Sequence, residues 1–325
     1  MANTYTAYEV VGKQEDVSDI ITNISPTTTP FQSMIGTESI HNVLFQWQED
    51  ALAAVNTSNY QYDGFDASES ALTATTIRSN YSQILQKSIK VAATVDKIAR
   101  YGRAKETAYQ LAKAGAELRR DLEYFLTNSQ AGTGGQNAAN NLLTSIGNTT
   151  GGSGSAALPR KLAAFQSQVD TSTYGSALLT KTGSSSTAMT EANLTTVLQQ
   201  LFNNGVDPKF LMIPPGEALN IASFATATGR YRFADNAEAE AARRVVNVID
   251  LYVSPFGEVK VILNRFQVNT DHLIFDPDMW KLMVLRPWTR TPLATIGDAE
   301  RQMIVGEFSL KHRNWGASGI VRKSA

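Results

Sequence analysis

Between residues 102 and 128 the chain reads GRAKETAYQLAKAGAELRRDLEYFLTN, and its apolar positions recur at spacings of three and four. Ala104, Ala108, Leu111, Leu118, Leu122 and Phe125 fall on one face, with Gly115 among them allowing a close approach. Glu106, Gln110, Lys113, Glu117 and Arg120 fall on the opposite face. That period predicts an amphipathic helix about 40 Å long at 1.5 Å per residue, with Leu118 and Leu122 buried. A second helix is predicted over 190–205, with Thr190 as N-cap, Gly205 as stop, and Leu194, Val197, Leu198, Leu201 and Phe202 as its buried stripe.

Elsewhere the pattern alternates. In VLFQWQ (43–48) Phe45 and Trp47 point one way and the glutamines the other. In 81–95, which opens at Tyr81, Ile89, Val91, Ala93 and Val95 share a face. A polar tract with an Asp63-Gly64 turn signal separates the two. Together they predict a long two-stranded hairpin with an extended tip. Such a hairpin is marginal alone, so it needs a surface to lie on. Trp47, a large aromatic with little core around it, is a candidate inter-subunit anchor. The alternative is that it packs beneath the long helix.

Residues 1–41 carry no long periodic run beyond a short helix predicted at 16–24. In NISPTTTPFQSMIG (23–36), Pro26 and Pro30 each fix φ and remove a donor. Ser25 and Thr29 are biased toward extended geometry. The segment reads as a stiff strap with Phe31, Met34 and Ile35 as contact points. Its removal, residues 1–36, is expected to leave a folded core. Residues 129–190 hold only Arg160, Lys161, Asp170 and Lys181 as charged side chains and read as loop. Further strands are predicted at 210–213, 246–253, 257–263, 272–275 and 280–285. A helix is predicted near 216–226, and the tail forms one or two strands around Asn314–Gly316. Helix and strand mix without a βαβ repeat, so the fold class is α+β.

Composition narrows the function. The 325 residues are 42% hydrophobic but only 18% charged, with a net charge of −1. A surface poor in charge suits packing against protein, and nothing argues for an electrostatic grip on nucleic acid or membrane. No cysteine is present, which excludes disulfides and thiolate chemistry and fits a reducing cytosol. The N-terminal residues lack a signal-peptide pattern, and no apolar run is long enough to span a bilayer.

Catalytic and metal-binding patterns are lacking. His41, His272 and His312 are far apart in sequence, without helical zinc spacing. Gly152, Gly154 and Ala157 match G-x-G-x-x-A but lack the flanking strand and helix a dinucleotide site needs. Asp276-Pro277-Asp278 reads as a turn rather than a cation site. Arg119-Arg120-Asp121 sits beside Glu117 and Glu123 and reads as ion-paired, within or between subunits. No catalytic residue, cofactor or metal is expected.

The order of arm, hairpin, long helix, mixed α+β region and closing strands resembles the major capsid proteins of tailed bacteriophages, of Hong Kong 97-type fold. The likeness is strongest to the SU-ten-like podophage family. It is carried by SPTTTPFQSMIG, FQWQEDALAA, NYSQILQKSIKV, YGRAKETAYQ, ELRRDLEYFL, LIFDPDMWKLMVLRPW and GEFSLKHRNWGASGIV, and it covers nearly the whole chain. The resemblance implies an N-arm (1–42), an extended loop (43–97), and a peripheral domain with a spine helix (98–189). An axial domain (190–295) and closing peripheral strands (296–325) complete it. It further implies hexamers and pentamers tiling an icosahedral shell around double-stranded DNA, in a virion assembled in the bacterial cytoplasm. A separate scaffolding protein, a portal and a decoration protein are the partners it suggests. On this reading Pro26, Pro30, Phe31, Phe45, Trp47, Tyr81, Glu117, Arg119 and Arg120 are the expected inter-subunit contacts. A portal or tail-tube subunit, or an α+β enzyme, is the alternative.

Overall fold

A computed structural model describes residues 25–98 (except 51, 54, 67, 68, 70, 71 and 73), 104–133 (except 129 and 131), 145–146, 159–169, 180–183, 190–224, 251–267 and 271–323. The predicted helix at 16–24, the first residues of the long helix, the glycine-rich 152–157 and the strand start at 246–250 lie outside these. In chain order the elements are α1 (Pro30–Met34), β1 (Gly36–Ser39), β2 (Leu44–Glu49), β3 (Thr76–Tyr81), β4 (Gln83–Ala92), α2 (Ala93–Lys97), α3 (Glu106–Thr127), β5 (Gly132–Thr133) and β6 (Ser145–Ile146). Then come α4 (Phe165–Val169), β7 (Thr180–Gly183), α5 (Glu191–Asn203), β8 (Phe210–Ile213), α6 (Ala218–Phe224), β9 (Leu251–Ser254), β10 (Gly257–Leu263), β11 (His272–Phe275), β12 (Trp280–Pro292), β13 (Ala299–His312) and β14 (Gly319–Lys323).

Two larger sheets organise the chain: a four-stranded one in the order β1-β12-β13-β4, and a six-stranded one in the order β7-β14-β11-β8-β10-β9. The apolar runs decide which strands are central. FLMI of β8 and HLIF of β11 are buried almost throughout and pair with each other, as expected of strands covered on both faces. LYVS of β9 alternates exposed and buried and takes the edge. One core runs through both sheets and both long helices, including Leu118, Leu122, Leu198, Leu211, Ile274, Trp280 and Leu310.

The second helix forms as its sequence predicts. The Thr190 side chain accepts from Asn193 N, and Gly205, at φ +79°, ends α5. Phe202 departs from the predicted stripe: it is half exposed and packs against Phe256. α3 likewise buries Leu118 and Leu122, but its buried face turns away from the predicted stripe. Ala114 and Leu126 are covered, Ala108 is exposed, and Leu111 and Phe125 are only half buried. A Cβ on Gly115 would meet nothing within 4 Å, so no close approach occurs there within the described chain. The rotation follows from where the neighbours lie: β4 packs along the helix, while α1 and α4 cover its C-terminal half. Its N-terminus is capped from upstream. The Asp96 carboxylate accepts from Glu106 N (2.9 Å), Thr107 N (3.2 Å) and the Thr107 hydroxyl (2.6 Å).

The hairpin also departs from expectation. β2 pairs antiparallel with β3, from Leu44↔Tyr81 to Glu49↔Thr76, but the chain then breaks at Ser82. Beyond it β4 leaves β2 and pairs with β13 over ten residues. The predicted second strand is therefore two strands serving two sheets, and its last residues, 93–95, open α2 instead. The loop-like region near 160 is likewise not free. Leu162, Ala163, Ala164 and Phe165 are buried, and Asn80 and Gln83 bond their backbone. Strand β12 continues to Pro292, seven residues past its predicted end, because it pairs with β13 along that length.

Candidate assembly surface

The strap from Pro26 to Ile35 is bound to its own subunit. Pro30 opens α1, and Phe31, at 0% exposure, inserts into a cage of Phe165, Phe275 and Trp280 with ring centroids 5.4–6.0 Å away. Beneath it the Glu123 carboxylate of α3 accepts from Phe31 N (2.8 Å), Gln32 N (3.0 Å) and the Asn264 amide (2.8 Å). Burial pushes the Glu123 carboxyl up, against the pull of those donors. Gln32 also donates to the Arg119 carbonyl. The inter-subunit role expected of Phe31 is corrected by this placement, because no part of its ring is left for another chain. The expected pairing of Glu123 with the neighbouring arginines is corrected too: amides hold it instead. Nothing in the spacing around Glu123 signals this, since its partners lie about ninety and 140 residues away.

The hairpin base is likewise fixed. Phe45 stacks on Trp47 at 5.6 Å, Trp47 is 8% exposed, and Arg78 lies opposite it in the β2–β3 register. The Arg78 guanidinium bonds Glu49 (3.1 Å) and covers the Trp315 ring at 4.3 Å, while Glu49 also accepts from Trp315 N (3.0 Å). Tyr81 is buried, and burial pushes its hydroxyl pKa up. Trp47 and Tyr81 thus serve the subunit first, which corrects the reading of Trp47 as an anchor outside the core. Trp47→Ala is expected to lower subunit stability by about 2–3 kcal/mol, the low side of aromatic truncations because a two-stranded ribbon can relax. Urea denaturation of unassembled protein checks this; an unchanged midpoint would return Trp47 to the anchor reading.

From that base the loop between Glu49 and Thr76 extends without regular secondary structure among the described residues. Leu52 is 100% exposed, Leu72 97%, and Val55, Tyr60, Tyr62 and Phe65 are exposed as well. These bare apolar side chains make the loop a candidate contact surface outside the core. In sequence the tract reads as polar because its serines, threonines and asparagines outnumber these apolar residues.

On the solvent side of α3, Glu117 pairs with Lys87, which with Lys113 and Arg120 pulls its carboxyl below the usual range. Arg119 is exposed and Arg120 half exposed. Pro26 is half exposed. So Pro26, Pro30, Phe45, Glu117, Arg119 and Arg120 keep accessible surface, while Phe31, Trp47 and Tyr81 are buried within the subunit.

Chemistry of other kinds has little footing. Asp276 caps the turn by accepting from Asp278 N, and Lys209 bridges both carboxylates at 3.2 Å. Among the described residues no group of three or more His, Asp or Glu side chains could hold a metal ion. Among the described residues no helix is long and apolar enough to cross a membrane. His312 is fully buried, stacked on Trp280 at 4.0 Å with its Nε2 3.0 Å from the Ser318 hydroxyl. Burial drops its pKa to about 3. The unfolded chain, near 6.5, therefore takes the proton first, so full stability holds above that value. Stability should fall by about 1.4 kcal/mol per pH unit as pH drops from 6.5 toward the folded value. Glu123, raised in the folded state, works in the opposite sense. Urea midpoints at pH 7, 6 and 5 should fall less steeply in His312→Gln than in the parent; equal slopes would refute the assignment.

The family described as SU10 major capsid protein matches residues 2–325. The major capsid protein of Escherichia phage Phieco32 is 33% identical over 354 residues, spanning 100% of this chain and 99% of that one. Among solved structures, the capsid of a native GTA particle aligns with TM-score 0.65 at 9% identity, covering 98% of each chain. A structure from Mycobacterium phage Bobi aligns with TM-score 0.59 at 14% identity, covering 96% of each. The fold is therefore the Hong Kong 97-type capsid fold, and the full-length matches in sequence place this chain in the SU10 major capsid protein family.

Proposed function

We propose that this chain is the subunit of an icosahedral shell, arranged as hexamers and pentamers around the double-stranded DNA of a tailed phage. The observation that carries the reading is the loop at 50–75, a row of exposed apolar side chains held out from a rigid base. A soluble monomer gains nothing from that surface, and a lattice of copies covers it. Shell assembly takes place in the bacterial cytoplasm, and the chain acts by packing, without a catalytic step. The arm (1–42), extended loop (43–97), peripheral region (98–189 and 296–325) and axial region (190–295) take the roles their family names describe. Pro26, Pro30, Phe45, Glu117, Arg119 and Arg120 are the contacts retained from the expected set. A scaffolding protein, a portal and a decoration protein are the further partners of this reading. Expression of the full chain followed by negative-stain imaging tests it. Hexameric capsomers or round shells are expected; tubes, portal-like rings or a persistent monomer would overturn it.

A further inference from the structure

Strand β4 closes the order β1-β12-β13-β4, so among the described residues β13 is its only partner strand and its other side is an edge. The β13 pairing runs over ten residues without a register shift, from Gln83↔Phe308 to Ala92↔Ala299. Protected edges are usually short, bulged or broken by proline, and β4 is none of these. Its outward backbone donors and acceptors form an open template. Lysines also guard edges, and β4 has two. Lys87 is drawn off to Glu117 on α3, and Lys90 stays exposed.

The two faces beside that edge differ in chemistry. On the α3 side a groove of about 610 Å³ runs along the end of β4. Ile89 and Val91 of β4 and Val95 of α2 give it apolar walls, and Glu106 and Gln110 of α3 close it. Glu106 is already engaged, because the Gln110 amide donates to its carboxylate at 2.6 Å. On the opposite face Lys90 stands directly across from Arg301 of β13. Like charges so placed repel. Neither forms an ion pair among the described residues, and Arg301 Nε is buried without an acceptor there. Glu300 gives no relief: it pairs in register with Val91, on the α3 face, and accepts from the Gln302 amide.

We infer that the free edge of β4 receives an extended acidic segment of a separate protein as a fifth strand. Strand alternation sets the chemistry of that segment. Apolar side chains on one face enter the groove beside Ile89 and Val95, and carboxylates on the other meet Lys90 and Arg301. Backbone pairing supplies affinity, and the two cations select for sign. A nucleic acid would use the cations alone and leave the strand edge and the apolar groove empty, so the combination favours a peptide. The inference concerns the folded subunit and does not rest on shell formation.

A short synthetic peptide alternating valine and glutamate, fluorescently labelled, tests it on the unassembled full chain. Saturable binding is expected, with slower hydrogen exchange at the amides of β4. Lys90→Glu with Arg301→Glu should weaken that binding about tenfold or more and admit a valine–lysine peptide instead. The melting temperature of the double variant should stay within a few degrees of the parent. If the double variant does not fold, Lys90→Gln alone, at an exposed position, is expected to weaken binding about threefold. Four results overturn the inference: no saturable binding, equal binding of the valine–lysine peptide by the parent, exchange slowed only outside β4, or displacement of the peptide by a short DNA duplex. A fifth comes from assembled shells. Amides of β4 already slowed there before any peptide is added would give the edge to a second copy. A parental chain that forms no shells overturns the shell reading and leaves the edge to be judged on unassembled protein.

Discussion

Phe31→Ala is expected to cost the subunit about 3–5 kcal/mol, the range for deleting a fully buried aromatic ring. The ring has 0% exposure and meets Phe165, Phe275 and Trp280 edge-on, while Trp280 is itself sandwiched between Phe165 and His312. Truncation would open a cavity at the junction of strap, α4 and both large sheets. This reverses what the strap's sequence alone predicts, namely that deleting residues 1–36 leaves a folded core. Urea denaturation of unassembled protein decides it. A loss below about 1 kcal/mol would mean that the strap lies on the core without completing it.

Glu123→Ala is expected to cost a similar amount, about 3–5 kcal/mol, for a different reason. The deletion leaves Phe31 N and the Asn264 amide, both buried, without this acceptor, and the part-buried Gln32 N loses it as well. Glu123→Gln should cost clearly less. One oxygen receives both Phe31 N and Asn264, and an amide oxygen can keep both while its nitrogen opposes only Gln32 N. Comparing the two variants separates lost acceptors from lost charge. Equal costs would indicate that charge, rather than hydrogen bonding, is what the site needs. Because Phe31 and Glu123 hold the same segment, the double variant should lose less than the sum of the singles. Full additivity would show that the two grips are independent.

Local chemistry was legible in the sequence. The period of three and four gave α3 and α5, Thr190 and Gly205 gave the ends of α5, and unbroken apolar runs gave β8 and β11. The turn at Asp276–Pro277 followed from side chains that bond their own backbone. The order of these elements, with the stretches quoted above, also carried the resemblance that the full-length family match supports. Each of these signals acts over a few residues, so periodicity and capping can report it.

Tertiary structure decided everything that depends on a distant partner. The strand opening at Tyr81 looks continuous, yet β3 and β4 divide at Ser82 because β2 claims one and β13 the other. The buried side of α3 is set by where β4, α1 and α4 press on it, which no helical wheel contains. Phe31 and Trp47 looked like spare apolar groups awaiting a neighbour, Phe31 because nothing near it in sequence could cover it and Trp47 because Phe45, two residues away, is its only local apolar companion. The covers are Phe165, Phe275 and Trp280 for Phe31; for Trp47, the stacked Phe45 is joined by β3, which sets Arg78 opposite it. Glu123 gave no signal at all, because a buried carboxylate is stable only where the fold brings donors to it, and its donors come from residues 31, 32 and 264. Sequence thus determined which segments are helix, strand and turn, where the forces are local. Which apolar and charged groups remain free for another copy depends on what the folded chain has already covered.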